Sequence, residues 1–258
     1  MIPDEIENEW RSLVELGLGI SVRWHTSVPS TMDIAASLAA HGAHHGVIVG
    51  ADEQTSGRGR RGASWASPRG AGLYFSFIAR PNKLGPVSTL PLLTLAAGVA
   101  VRDGVAAASG LVADLKWPND LMIGRRKLAG ILAEGLAIGS SDQAVVIGVG
   151  VNIQPAAYPP EVSARATSIE GELGRAIERG RIFGEIVGRL WSLPAALERN
   201  PGDILQAWRL ASPSATGTRV EWDSKHGTTA GIDEGGALLV QTATGIERII
   251  SGELHWTI

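Results

Sequence analysis

The sequence contains no cysteine, and this absence excludes disulfides, thiolate metal sites and catalysis by a cysteine nucleophile. It also lacks a strong charge of either sign, since the formal net charge is −3 at pH 7, and so indicates no global attraction for nucleic acid or an anionic membrane. The acidic stretch 1–10 has no basic-then-apolar signal pattern. Gly, Arg and Asp interrupt each apolar run before it reaches the length of a membrane span. The sequence therefore predicts a cytoplasmic globular protein without membrane attachment.

The 258 residues, 44% hydrophobic and 19% charged, are enough for one large domain or for one domain with a small appendage. Apolar residues at helical spacing predict helices within 6–14, 34–38, 90–108 and 182–191. Aliphatic and aromatic runs predict strands at 20–25, 47–49, 73–78, 114–117, 128–137 and 144–153. Because the connections between strands are short, antiparallel pairing is favoured. The expected fold class is α+β, with helices packed on a mixed, largely antiparallel sheet.

The composition changes near Ser212-Pro213-Ser214. Five short β-like pieces follow, at 219–222, 228–232, 237–241, 247–250 and 255–258, with glycines in the turns between them. So many short strands in so few residues favour a small β-barrel. We expect a catalytic domain over 1–211 and a small β-barrel domain over 212–258.

The segment Gly57-Arg58-Gly59-Arg60-Arg61-Gly62, called here the arginine loop, is rich in groups that bind anions. Its glycines let backbone N–H groups point at an anion, and its arginines are forked donors suited to phosphate or carboxylate. It is not a Walker loop, because no Gly-Lys-Ser/Thr follows at the required spacing. A solvated basic loop and an RNA-binding patch remain alternative interpretations.

A second segment, Lys116-Trp117-Pro118-Asn119-Asp120, holds a lysine, an amide and a carboxylate around a proline. Alone it is also typical of a plain turn. Its sequel places the basic cluster Arg125-Arg126-Lys127 at the entry of an apolar strand. Lys127 therefore lies at the edge of the core, where a charge needs a partner, and an anionic ligand would supply one.

Two further segments carry weaker signals. Asn152 is a polar residue inside the apolar run 148–153, so it needs a hydrogen-bond partner, while Gly148 and Gly150 indicate close approach by another backbone or a ligand. Ser30 fits an N-cap that accepts a hydrogen bond from the backbone N–H of Asp33. The adjacent hydroxyls of Ser30 and Thr31 also suit a neutral polar ring, which they can hold by donating and accepting.

Taken in this order, these segments resemble the biotin–protein ligase family. The matching pieces are Ser30-Thr31, Gln54 with the arginine loop and Trp65, 116–120, 127–132, 148–152 and 166–169. The tail resembles the C-terminal domain of the family. The resemblance implies a class II synthetase-like catalytic domain with an SH3-like barrel, and a reaction in two steps. Biotin and Mg-ATP give biotinyl-5′-AMP, and the biotinyl group then passes to one lysine of the biotin carboxyl carrier domain of a biotin-dependent carboxylase.

The resemblance also implies roles for individual residues. Lys127, Asp120 and Arg58 are the expected catalytic residues, with Lys127 holding the biotin carboxylate and α-phosphate and Asp120 orienting or deprotonating the incoming lysine. The expected biotin-binding residues are Ser30, Thr31, Gln54, Gly57, Arg58, Arg60, Lys127 and Gly130. The expected ATP and adenylate residues are Arg58, Gly59, Arg60, Arg61, Gly62, Trp65 (stacked on the adenine), Lys116, Asn119, Asp120 and Asn152. Mg²⁺ enters with ATP, so no metal site of the chain's own is expected.

Two departures from the family pattern narrow the expectation. Met32 stands where the family often has Asn, which removes one polar contact. The first predicted strand begins at residue 20, which leaves too few residues for the winged helix-turn-helix of repressor-type members. We therefore expect a ligase without DNA binding. Exposed sheet edges in this fold class make a homodimer one of the expected assemblies.

Three other readings compete with this one. A lipoate or octanoate ligase would share the superfamily fold, but the sequence has no Arg-Arg-x-Ser-Gly-Gly-Gly loop and no cysteine. A non-enzymatic RNA-binding module would use the arginine loop, but the net charge is negative and aromatic residues do not interleave with the basic ones. A metal site at His41, His44 and His45 has a usable spacing, although a solvated loop is the commoner explanation.

Overall fold

The computed structural model describes residues 1–80, 90–156, 158, 160–250, 252 and 254–256. Its helices are Asp4–Glu15 (α1), Thr31–Ala40 (α2), Leu90–Ser109 (α3), Pro160–Ser163 (α4), Ile169–Leu173 (α5), Arg179–Arg199 (α6) and Pro201–Ala211 (α7). The first sheet contains Ser21–His25 (β1), Val47–Ala51 (β2), Gly72–Ala79 (β3), Asp114–Lys116 (β4), Asp120–Ile123 (β5), Arg126–Leu136 (β6) and Ala144–Asn152 (β7). The second contains Thr216–Trp222 (β8), Lys225–Ile232 (β9), Leu238–Thr242 (β10), Gly245–Ile249 (β11) and His255–Trp256 (β12).

The first sheet has the strand order β1-β2-β3-β7-β6-β5-β4. Strands β1 and β2 are parallel, and helix α2 supplies the crossover that a parallel pair requires. The other neighbouring pairs are antiparallel. The expected mixed, largely antiparallel sheet is confirmed.

The two faces of this sheet are occupied differently. In β3, Leu73, Phe75 and Phe77 are buried in the main apolar core, whose helical members come mostly from α3, α6 and α7. Ile78, which follows Phe77 in β3, points to the opposite face of the sheet and packs with α2 in a second, smaller cluster. Because strand side chains alternate with a period of two, one face is closed by the helical layer and the other is free to carry a site beside α2.

Helix α3 corrects the expectation that no apolar run reaches membrane length. By length and composition alone, this helix could cross a membrane. Half of its 18-residue apolar window is buried inside the protein, where Leu93 and Val101 belong to the main core. Arg102 near its end donates to the backbone carbonyl of Ala113 at 2.8 Å. Within the described residues, α3 is the central core helix of the helical layer.

The C-terminal strands form an antiparallel sheet in the order β11-β10-β9-β8-β12. The turn between β9 and β10 of this sheet contacts the turn after β4 of the first sheet. The indole N–H of Trp117 donates to the carbonyl of Gly236 at 3.1 Å. Gly236 has φ +83°, and a Cβ there would lie 3.0 Å from the backbone of Leu92 in α3. The second sheet is therefore docked beside the 116–120 turn. A domain boundary near residue 212 stays a prediction.

Several local details differ from the sequence-based expectations. Ser30 does cap α2, but it accepts from the N–H of Met32 at 3.3 Å and not from that of Asp33. Strand β5 was not predicted, because only four residues follow the proline turn. Helix α7 was also missed, although Pro201 at its first position is a recognised start signal. The short helix α4 between β7 and α5 was not predicted, and positions 257 and 258 of the last predicted strand lie outside the described residues.

Candidate active site

A cavity of about 990 Å³ opens on the α2 side of the first sheet. The arginine loop, the 116–120 turn and strands β6 and β7 form its walls. Most of the residues predicted for the site line this one cavity: Thr31, Gln54, Arg58, Gly59, Arg60, Arg61, Gly62, Trp65, Lys116, Asn119, Asp120, Lys127, Gly130 and Asn152. The fold therefore brings together predicted site residues that are up to 121 positions apart in sequence, from Thr31 to Asn152.

Lys127 and Asp120 form an ion pair with 2.6 Å between the ammonium nitrogen and Oδ1. Both residues belong to the β5–β6 hairpin, whose register shifts between Leu121 and Met122. The backbone of Lys127 is held on its other side, because its N–H donates to the carbonyl of Arg165 at 2.7 Å. The side chains remain 33% and 21% exposed, so an anionic ligand in the cavity can reach the ammonium group.

Two asparagines hold the backbone around this pair. Asn119 donates through Nδ2 to the carbonyl of Ile131 at 2.8 Å, and its own carbonyl accepts from the N–H of Ile131 at 2.9 Å. The buried Asn152 donates to the carbonyls of Thr167 at 2.9 Å and Lys127 at 3.4 Å. The expectation that Asn152 needs a partner is confirmed. These amides fix the positions of Asp120 and Lys127, while their contacts with a nucleotide stay predictions.

A hydrogen-bonded polar network lies at the α2 end of the cavity. The side-chain carbonyl of Gln54 accepts from the backbone N–H and the hydroxyl of Thr31 at 2.9 and 3.1 Å, and its Nε2 donates to Ser67 Oγ at 2.9 Å. Thr31 Oγ1 also lies 2.9 Å from Ser76 Oγ. The network is preformed, as suits recognition of a neutral polar ring. Ser67 and Ser76 were missed, although a serine inside the apolar strand 73–78 is a usable signal.

Ser30 and Gly57 are predicted site residues that do not line the cavity. Ser30 is 1% exposed and caps α2. At Gly57, a Cβ would lie 2.4 Å from the backbone oxygen of Trp65, so glycine is needed for the loop to pack on its own backbone. Neither residue therefore presents a side chain to the cavity in which biotin is expected to bind.

The indole of Trp65 lies against Gly130 and Gly150 on the floor of the cavity. A Cβ at Gly150 would lie 2.5 Å from the ring, and a Cβ at Gly130 would lie 2.9 Å from it. The ammonium of Lys127 is 5.2 Å from the ring centroid, within range of a cation–π contact. The buried Nε1 has no hydrogen-bond partner among the described residues. Gly130 in β6 and Gly150 in β7 thus leave room for the Trp65 side chain, whereas the sequence had indicated that a backbone or a ligand approaches the glycines of the second of these strands.

The three arginines of the arginine loop have different surroundings. Arg58 pairs with Asp33 at 2.8 Å and with Glu134 at 2.5 Å. Burial lowers the pKa of the Arg60 guanidinium from its usual value, and the charge of Asp120 opposes this shift. Arg61 is exposed and has φ +55°. Arg60 is therefore the half-buried arginine of this loop, and its charge interacts with that of Asp120, which lines the same cavity.

Other lining residues escaped sequence reasoning. Tyr158 and Arg165 come from the segment after β7, and burial raises the pKa of the Tyr158 phenol. Asp223 and His255 come from the second sheet. No local pattern marks these two residues, because only the docking of that sheet beside the 116–120 turn brings them to the cavity.

The histidines considered as a metal site are engaged with protein groups. His45 Nδ1 accepts a hydrogen bond from the backbone N–H of Arg80 at 3.2 Å, and its Nε2 lies 3.1 Å from the backbone carbonyl of Trp191. The centroids of the His45 and Trp191 rings are 4.5 Å apart. His41 and His44 each lie 2.7 Å from a neighbouring carbonyl. In the part of the chain that the structure describes, no group of three or more His, Cys, Asp or Glu residues could hold a metal ion.

Comparisons with known proteins agree with this geometry. Residues 24–152 match the biotin/lipoate A/B protein ligase family, and residues 216–254 match the biotin protein ligase C-terminal domain. The bifunctional ligase/repressor BirA of Bacillus subtilis is 33% identical over 92% of this chain and 74% of its own length. The biotin–[acetyl-CoA-carboxylase] ligase of Paracoccus denitrificans is 34% identical over 80% of this chain and 88% of its own length. The Aquifex aeolicus biotin protein ligase, solved with biotin and ATP, aligns with a TM-score of 0.76 and 28% identity over 92% of this chain and 98% of that one.

Proposed function

Since the chain belongs to the biotin/lipoate A/B protein ligase family, we propose that its cavity activates biotin with ATP and passes the biotinyl group to a protein lysine. Relatives named as biotin ligases, and a structural neighbour solved with biotin and ATP, support biotin as the acid. The match of residues 216–254 to the C-terminal domain of biotin protein ligases supports biotin over lipoate or octanoate.

The mechanism rests on one observation: a neutral polar network and a positively charged lysine line different ends of the same cavity. The Thr31–Gln54 network, at one end, presents fixed donors and acceptors to the neutral ureido ring. Lys127, at the other end, presents a positive charge to the carboxylate and the α-phosphate. In the first step a biotin carboxylate oxygen attacks the α-phosphorus, pyrophosphate leaves, and Lys127 with Arg60 stabilises the negative charge that develops.

In the second step the ε-nitrogen of the carrier lysine attacks the carbonyl carbon of the adenylate. The bond to the phosphate oxygen breaks, AMP leaves, and the nitrogen loses one proton. Asp120 is placed beside Lys127 to orient this amine and to accept its ammonium proton before the attack, because an ammonium ion has no lone pair. The second proton, lost as the amide forms, passes to water. The acceptor is the biotin carboxyl carrier domain of a biotin-dependent carboxylase, as the names of the relatives indicate.

Mg²⁺ fits this site as a partner of ATP. It usually keeps several waters and binds through one or two carboxylates together with substrate phosphates, and Asp120 supplies a carboxylate at the nucleotide end. When bound, Mg²⁺ neutralises charge on the phosphates. Lys127 and the arginine loop, including Arg60, bind the adenylate and exclude water from it.

Acid-dependent pyrophosphate release tests this proposal. We expect release with biotin and ATP, and little with lipoate or octanoate in place of biotin. Release that is faster with lipoate or octanoate would move the assignment to the other branch of the family. An RNA-binding module would release no pyrophosphate with any acid.

Three finer expectations accompany the proposal. The protein acts in the cytoplasm, consistent with a sequence free of cysteine. It acts without DNA binding, which a footprint on operator DNA would contradict. A homodimer formed through a sheet edge is one of the expected assemblies, and β1 at the end of the first sheet is the candidate edge. Sedimentation with and without biotin and ATP tests the last of these.

A further inference from the structure

One side chain ties the arginine loop to both walls at the α2 end of the cavity. Arg58 donates from Nη1 to Asp33 in the first turn of α2 at 2.8 Å, and from Nη2 to Glu134 of β6 at 2.5 Å. Glu134 lies on the same face of β6 as Gly130 of the cavity floor, because residues an even number apart share a face. Arg58 therefore spans from helix to strand across the loop, close to the Thr31–Gln54 network.

The charge of Arg58 is already compensated by these two carboxylates. A guanidinium has five donors in a fixed fork, and two of them are used here by two separate elements of the fold. Its attraction for an anionic substrate is correspondingly weakened. Arg60, by contrast, faces Asp120 and has no ion pair among the described residues, so it keeps its donors for phosphate.

We infer that Arg58, Asp33 and Glu134 form a latch that holds the arginine loop over the cavity, and that Arg58 is a positioning residue. This role replaces the substrate contact that the family resemblance implies for Arg58. The inference rests on the proposed function for its effect on the reaction. The latch opens to admit biotin and closes to keep the reactive adenylate away from water.

Hydrogen–deuterium exchange of the loop amides in the full chain tests the latch without any substrate. The variants are Asp33→Asn and Glu134→Gln, which remove a charge at nearly constant size, and Arg58→Gln, which removes the guanidinium group. We expect exchange at 57–62 to become about 2- to 5-fold faster in each single carboxylate variant, as suits exposed ion pairs. Adding Glu134→Gln to Arg58→Gln should cause no further acceleration, because one interaction is then already lost.

A matched control is available in the second sheet. Lys225 and Glu247 form an ion pair at 2.8 Å, and the exposure of Glu247, 35%, is close to the 33% of Glu134. Glu247→Gln should leave exchange of the arginine loop unchanged. Loop exchange that stays at the wild-type rate in all three latch variants would overturn the inference.

Kinetics separate a latch from a substrate contact by the sign of the effect. The latch predicts that Asp33→Asn and Glu134→Gln raise KM for biotin by about 2- to 5-fold and speed adenylate release, with kcat for adenylation nearly unchanged. If Arg58 instead bound the substrate, freeing its guanidinium would lower KM, and Arg58→Gln would lose kcat in every background. Either of those two results overturns the latch.

The two measurements also separate this inference from the proposed function. If the carboxylate variants speed loop exchange but no acid is activated with ATP, the latch stands and the ligase assignment fails. If biotin is activated but loop exchange is unaffected, the ligase assignment stands and the latch fails.

Discussion

The ammonium nitrogen of Lys127 lies 2.6 Å from a carboxylate oxygen of Asp120. The two steps of the proposed reaction need these groups in opposite roles, one as a cation for the adenylate and the other as a base for the incoming lysine. An anionic substrate that takes Lys127 as its partner frees Asp120 to accept a hydrogen bond from the carrier lysine. The pair thereby couples binding of the adenylate to readiness for transfer.

Replacing Lys127 with alanine should reduce biotin-dependent pyrophosphate release by about 100-fold or more, because a preorganised charge is removed from the site of developing negative charge. Lys225→Ala, a surface lysine of the second sheet, is the control and should leave release unchanged. Circular dichroism of both variants reports the fold. Unchanged pyrophosphate release in the folded Lys127 variant would remove this residue from the mechanism.

Replacing Asp120 with asparagine should damage the second step at least as much as the first, because the carboxylate is the base of the second step and a partner of Mg-ATP in the first. The change keeps the size of the side chain but removes the base, so transfer from preformed adenylate should slow by about 100-fold. Lys127, no longer paired with a carboxylate, remains able to bind the adenylate. Chasing isolated enzyme-bound adenylate into carrier domain measures the step directly. Loss of adenylate formation with normal chase kinetics would contradict the role.

Gly150→Ala should displace the indole of Trp65 from the cavity floor, since the added Cβ would lie 2.5 Å from the ring. Overpacking of this kind costs about 1–3 kcal/mol of unfolding free energy, measurable by chemical denaturation. In a Trp65→Ala background the same change should cost little. Gly188→Ala in α6 is the control, because its Cβ would make an ordinary 3.6 Å contact with Leu13. Equal cost of Gly150→Ala in both backgrounds would show that the indole does not rest there.

Stability should fall in mild acid because of His45. Burial lowers the pKa of this imidazole from its usual value of 6.5, and its Nδ1 accepts a hydrogen bond from Arg80 that protonation would break. Its stabilising contribution is therefore present above pH 6.5 and is lost as the pH falls through the lower folded-state pKa. Denaturation at several pH values should show a smaller acid loss in His45→Gln than in the wild type or in His226→Gln. Identical pH profiles for all three would contradict this.

The chemistry-bearing segments could be predicted from the sequence because each is a local pattern. Asp120 and Lys127 meet within the short β5–β6 hairpin, although the sequence indicated an anionic ligand as the partner of Lys127 and did not predict β5. The pairing of Arg58 with Asp33 and Glu134 could not be predicted, since these partners are 25 and 76 residues away. His255 reaches the cavity only through the docking of a second sheet. Long-range packing of side chains, which leaves no periodic trace in a sequence, accounts for most of what was missed.

The mass of a biotin carboxyl carrier domain, incubated with this protein, ATP and biotin, tests the central claim most directly. The account predicts that the carrier gains the mass of one biotinyl group, that a carrier with its target lysine replaced by arginine gains none, and that the Lys127→Ala protein gives little product. A carrier whose mass is unchanged, or one that gains a lipoyl or octanoyl group in preference to biotin when all three acids are supplied, would contradict it.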